Sequence, residues 1–308
     1  MTRLLLVETR RALARRLVRM LILAALVVTA ITGAIVYANA DDGRAAPADR
    51  QVEAQAIRRG IVEDCARFEA DRATCEQTVP PPAVFVDEGD DRFHLTDLWP
   101  TEESPGEEDG VLQGTAVPLI IAALLAGASV VGAEWRAGTM ALLLTWEPRR
   151  VRVLVAKAVV VFVLAAAIGL ALQAVFVAAL VPAALRGTTE GADADWWLSL
   201  VGGTLRIAGV TGLAALAGAS LATLAGNTAG ALGVAFGYLA VAENTLRGLR
   251  PRWSRWFVSD NIAVVVTGDP TATGNFRRSV VGSATLVALY VIALFFIALA
   301  TFRTRDVT

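Results

Sequence analysis

The chain has 308 residues, 55% of them hydrophobic and 19% charged, and its mean hydropathy of +0.55 is too apolar for an ordinary soluble domain. The net charge of -1 hides a segregation: residues 41–110 hold 19 acids and 7 bases, a local net of -12, which leaves +11 for the rest. The only lysine is Lys157, set between Ala156 and Ala158, so no G-x-x-x-x-G-K-[ST] phosphate loop exists in this sequence and any ATP handled that way must be bound by another chain.

Elements follow from counting uncharged runs against the roughly 20 residues needed to cross a hydrocarbon core of about 30 Å. Residues 1–19, with Arg3, Arg10, Arg11, Arg15, Arg16 and Arg19 against the single acid Glu8, predict a cytoplasmic amphipathic helix. The first span is 20–40. A cleaved signal ending at Ala38-Asn39-Ala40 is the competing reading, disfavoured because the apolar run exceeds a usual signal core of about 7 to 15 residues.

Residues 41–112 form an acidic extracytoplasmic domain or elaborated loop, with Pro80-Pro81-Pro82 and few large apolar residues, among them Ile57, Ile61, Phe68, Phe85 and Phe93. Its Cys65 and Cys75 are the only cysteines, and on the oxidising side they predict a disulfide worth about 2 to 3 kcal/mol. A metal or redox pair is the alternative, weakened by a single histidine, His94, and the lack of C-x-x-C. The acidic tail Glu102-Glu103 to Glu107-Glu108-Asp109 reads as a solvated linker.

The second span is 113–133, a cytoplasmic segment covers 134–152, and the third span is 153–185. Spans four (199–225) and five (228–246) are separated at Gly226-Asn227, an outer re-entrant segment takes 247–278, span six is 279–302, and 303–308 is a cytoplasmic tail. The expected fold is therefore an all-α integral membrane protein with six transmembrane helices. Arginines near the first span put the N-terminus inside, and six crossings return the C-terminus to the same side. Arg247, Arg250, Arg252, Arg255, Arg277 and Arg278 fall outside on this count, against the positive-inside rule.

The segment after the second span runs Glu134-Trp135-Arg136-Ala137-Gly138-Thr139-Met140, then Ala141-Leu142-Leu143-Leu144-Thr145-Trp146-Glu147, then Pro148-Arg149-Arg150. Gly138 permits a tight turn, Thr139 is suited to capping a helix, and Pro148 stops that helix and starts the next. The result is a short apolar helix at the inner surface whose outer side needs a cover. An ordinary basic connection is the plain alternative.

This order, an acid, Gly-Thr, an apolar run, Pro-Arg-Arg and a lone lysine opening the third span, resembles the membrane subunit of type 2 ABC exporters. The resemblance rests on Glu134, Gly138, Thr139, Pro148, Arg150 and Lys157, and it makes the N-terminal Glu8–Arg16 stretch similar to that family's connecting helix. It implies that Glu134, Gly138, Thr139, Leu142, Leu143, Trp146, Pro148 and Arg150 form a coupling helix docked on an ATP-binding subunit. Two copies of that subunit, a second permease subunit forming a homo- or heterodimer, and a bacterial plasma membrane follow as implied partners and location. The chain itself is then no enzyme and carries no cofactor, ATP and Mg²⁺ residing in the partner. The acidic insertion departs from compact members of the family, so the substrate stays open among drugs, lipids and peptide-like molecules.

Within the spans, helices four and five are rich in glycine, and Gly226/Gly230 and Gly233/Gly237 have the spacing that lets helices approach closely. Arg206 and Glu243 interrupt the apolar runs. Counted from Gly226 at 1.5 Å per residue, their heights differ by only about 5 Å, so they could pair near the outer face. Equally, Arg206 could snorkel to the headgroups beside Trp196-Trp197 while Glu243 ends its helix. Trp253, Trp256 and Phe257 interleave with arginines as at a membrane interface, and their outward side excludes a nucleic-acid role.

A membrane-anchored sensor or scaffold whose acidic segment binds a ligand is the alternative from another class. An ion-coupled transporter would need several acids within the spans, and only Glu243 qualifies.

Overall fold

The computed structural model describes residues 2–39, 47–68, 72–81, 95–99, 110–185 and 192–305. Among these residues the chain is all helix, without a strand. Five helices are long and apolar enough to cross a membrane, as expected of a membrane protein. The chain divides into two units, Met1–Thr32 with Thr96–Ala179 and Gly191–Thr308, and Gly33–Leu95 with Leu180–Glu190.

Helix α1 (Thr2–Ala14) buries Glu8 and Ala12, four residues apart, and turns Arg10, Arg11 and Ala14 outward. The helix breaks at Arg15, and α2 (Arg16–Asn39) starts four residues before the uncharged run, taking Arg16 and Arg19 into its first turn. Helix α5 (Val111–Arg136) begins where Gln113 Oε1 accepts the Gly110 N–H at 3.2 Å. It ends because Gly138 takes φ 67°, the left-handed conformation that a side chain disfavours.

Helix α6 (Thr139–Trp146) is the expected short helix, narrower than the expected 134–152, and Pro148 separates it from α7 (Arg150–Ala184). At 35 residues, α7 is about 52 Å long and extends past any hydrocarbon core. Helix α8 (Ala194–Ala225) is capped by Asp193, which accepts the Trp196 N–H at 2.8 Å, and stops at Gly226, φ 71°.

The expected fifth span is not one α-helix. Asn227 caps α9 (Thr228–Phe236), a π-helical stretch Gly237–Ala242 follows, and α10 (Glu243–Leu249) continues from it. The widened turn, in which the Glu243 N–H bonds the Tyr238 carbonyl five residues back, divides this run and keeps it out of the five long helices. A 3₁₀ turn Pro251–Trp256, the ten-residue α11 (Val258–Thr267) and the long α12 (Val280–Thr304) complete the first unit.

Helices α5 and α8 form the most extensive pair. Their contact is built from alanines, including Ala123, Ala128, Ala215, Ala219 and Ala222, and from two glycines. A Cβ at Gly127 would run into the Ala215 carbonyl and one at Gly218 into the Leu124 carbonyl. The close-packing glycines are thus not those with the expected spacing: Gly233 and Gly237 face open space, and Gly230 meets only Ala225 and Asn227 of its own turn.

In the second unit, α3 (Pro47–Phe68) and α4 (Arg72–Thr78) form a helical hairpin closed by the expected Cys65–Cys75 disulfide. Val62, Cys75 and Val79 make its small core, and Arg58 donates to the carbonyls of Glu76 and Pro80, satisfying the end of α4. Phe85, Phe93, His94 and the acidic tail 102–109 lie outside the described residues.

Candidate functional site

The centre of the site is a buried cluster of four charges that seats α6. Lys157, on the second turn of α7 and 1% exposed, directs Nζ at Glu8 Oε2 (2.6 Å) and Glu134 Oε2 (2.8 Å). The other Glu134 oxygen lies 3.1 Å from Arg15, which also donates to the Ser129 and Val130 carbonyls at 2.8 and 2.7 Å. Two carboxylates thus face two cations, and the cluster is neutral, the condition under which burying charge is tolerable. It ties together α1, the last turn of α5 and the start of α7, the three elements that surround α6.

Helix α6 is divided by this seat. Met140 is fully buried and Leu143 and Leu144 pack against the core, whereas Leu142 is 62% exposed and Trp146 84% exposed. A groove of about 630 Å³ runs beside it, with Arg11 and Arg15 on one side and Thr139, Leu142 and Trp146 on the other. Exposure of a tryptophan and a leucine on one eight-residue helix leaves an apolar face without a cover within the described residues.

Five of the eight expected coupling residues, Glu134, Thr139, Leu142, Leu143 and Trp146, line this groove. Gly138 makes the turn as expected, but Thr139 is not the cap. Gly138 occupies that position, and the Thr139 hydroxyl instead donates to the Glu134 carbonyl at 3.4 Å. Arg150 lies apart from the groove. Its Nη1 donates to the Arg305 carbonyl at 2.6 Å, with the Phe302 and Arg303 carbonyls at 3.4 Å, and so closes the end of α12.

A second polar assembly surrounds α11. The carboxylate of Glu243, fully buried, accepts the backbone N–H groups of Val258 (2.7 Å) and Ser259 (3.2 Å) together with the Ser259 hydroxyl. It caps α11 in place of Phe257, whose side chain has no acceptor. Arg206 donates from Nε to the Val265 carbonyl at 3.1 Å and lies over the Trp99 ring. The expected Arg206–Glu243 pair is therefore not formed; each charge is taken up by backbone groups of α11.

Arg247 pairs with Asp260 at 2.7 Å, and Arg278 donates to Asn261 at 2.9 Å, which in turn donates to the Phe257 carbonyl. These contacts give two of the six arginines in the outer segment a structural task. Phe257 is buried and Trp253 and Trp256 are half-exposed.

Two members of the lower cluster, Glu8 and Arg15, were not distinguishable as site residues in the sequence. The available signal was a lone acid within six arginines, on the same helical face as Ala12. Among the described residues no group of three or more His, Cys, Asp or Glu is arranged to hold a metal ion. The chain matches no family model, no curated protein and no solved structure.

Proposed function

We propose that this protein is the permease subunit of an ATP-driven exporter. It works as a dimer with two separate ATP-binding subunits and moves a drug, lipid or peptide-like substrate across a bacterial plasma membrane. The observation that carries this reading is α6: a short helix with Leu142 and Trp146 turned outward, fixed from behind by the Glu8–Lys157–Glu134–Arg15 cluster. A displacement imposed on such a helix reaches α5, α7 and α1 together, because a buried neutral charge cluster resists being pulled apart.

On this reading α9, the π-helical stretch and α10 together make the fifth of six crossings, their 22 residues reaching about 33 Å if counted at α-helical rise. Both termini and α6 are cytoplasmic, and α11 is the outer re-entrant helix. The ATP and Mg²⁺ chemistry belongs to the partner.

The test is purification of the tagged full chain from its native membrane, with identification of copurifying subunits and assay of ATP hydrolysis. An ATP-binding subunit is expected, lost with Leu142→Asp and Trp146→Ala while the chain keeps its size-exclusion profile. A sensor kinase or regulator in its place would favour the anchored-sensor alternative, and ATPase stimulation that survives both substitutions would remove α6 from the coupling role.

A further inference from the structure

On the face of α7 away from the charge cluster, an open groove of about 730 Å³ is formed by the segment from Pro148 to Val155 and by Arg303 of α12. Four of its lining residues are Arg149, Arg150, Arg152 and Arg303, and no acid lines it. Arg150 is engaged by the end of α12, and Arg152 lies 3.6 Å from Glu147. Arg149 and Arg303 are exposed and form no ion pair among the described residues.

The groove continues into an apolar strip. Val151 and Val155 line it, and Val159 and Val163 follow at the same four-residue interval, with Val151, Val159 and Val163 between 40% and 56% exposed. Residues four apart lie along one ridge of a helix, so the strip runs about 18 Å up a helix long and apolar enough to cross the bilayer. A cationic pocket opening onto an apolar track matches a molecule with an anionic head and a hydrocarbon tail.

We propose that this groove binds an anionic phospholipid, its phosphodiester headgroup held by Arg149, Arg152 and Arg303 and one acyl chain laid along Val155, Val159 and Val163. A soluble anion would use the arginines and leave the strip idle. A zwitterionic lipid would bring a cation against guanidinium groups that already lack acidic partners. The site requires only a bilayer around α7 and is independent of any ATP-binding partner.

The experiment uses the full chain in zwitterionic detergent micelles, titrated with cardiolipin, phosphatidylglycerol, phosphatidylcholine or inorganic phosphate and read by native mass spectrometry. Cardiolipin and phosphatidylglycerol should be retained and phosphatidylcholine should not. Arg149→Gln with Arg303→Gln should weaken retention on the order of tenfold, since each base near an anionic headgroup is worth about a factor of five. Arg252→Gln with Arg277→Gln removes the same charge elsewhere and should leave retention unchanged. Both pairs are exposed, so folding is checked by an unchanged elution volume. Equal loss in the two double variants, or unchanged retention in the first, would overturn the site. If inorganic phosphate displaced cardiolipin and Val159→Asn had no effect, the groove would be a site for soluble anions and the lipid assignment would fail.

Discussion

Glu243 and Arg206 hold opposite ends of the same ten-residue helix, the carboxylate on the N–H groups that open α11 and the guanidinium on the Val265 carbonyl near its end. The placement matches the helix dipole, negative charge at the start and positive at the finish, and it satisfies backbone groups that the helix cannot satisfy internally. Gln113, donating to the Thr267 carbonyl at 3.2 Å, completes the far end.

Exchanging the two charges, Arg206→Glu with Glu243→Arg, should therefore give no rescue. Each single substitution is expected to cost about 2 to 3 kcal/mol, the range for losing a charge-assisted hydrogen bond to a buried group. The double variant should be at least as unstable as either, because both ends of α11 then meet the wrong sign. Thermal unfolding in detergent followed by tryptophan fluorescence measures this, and recovery of the wild-type midpoint would show a direct pair instead.

Lys157→Met should destabilise strongly, by about 3 to 5 kcal/mol, because it leaves Glu8 and Glu134 buried against Arg15 alone. Adding Glu8→Gln restores neutrality and should recover most of the loss. The comparison is between unfolding midpoints of the single and double variants; equal midpoints would mean that Lys157 contributes packing and not charge.

Much of this arrangement was legible from residue order, and the failures have a physical pattern. Uncharged runs located α2, α5, α7, α8 and α12, because the need for about 20 apolar residues acts on each segment by itself. Glu134 and Lys157 were singled out by their local setting, but Glu8 stands 149 residues from Lys157, and no periodicity within α1 reports a partner on α7. Thr139 was misplaced by one position because a left-handed Gly138 took the capping place. Arg206 and Glu243 were at compatible heights, but height along an axis says nothing about the intervening α11, which lies too far along the chain for helical counting to place.

The glycines offer a graded test. Gly127→Ala and Gly218→Ala should each destabilise by about 1 to 3 kcal/mol or more, since the added methyl meets a backbone carbonyl across the α5–α8 contact. Gly233→Ala and Gly237→Ala meet nothing and should be neutral or slightly stabilising to the folded chain. Unfolding midpoints for the four variants should fall into these two groups.

Trypsin should reveal the outer hairpin. Arg67 and Arg72 lie between Cys65 and Cys75 with well-exposed side chains, so cleavage there leaves two fragments joined until a reductant is added. Cys65→Ser with Cys75→Ser should lower the resistance of α3 and α4 to proteolysis by the equivalent of about 2 to 3 kcal/mol and leave the first unit intact.

The widened turn at Gly237–Ala242 amounts to a single residue added to an otherwise regular helix. Deleting one residue there would restore ordinary winding and turn everything after it by about 100°. Glu243 would then swing away from the amides of Val258 and Ser259, and the ladder from Arg247 to Asp260 would lose its alignment as well. The register of the whole outer segment thus depends on the parity of one insertion, which makes a one-codon deletion at this turn more damaging than most substitutions along the same helix.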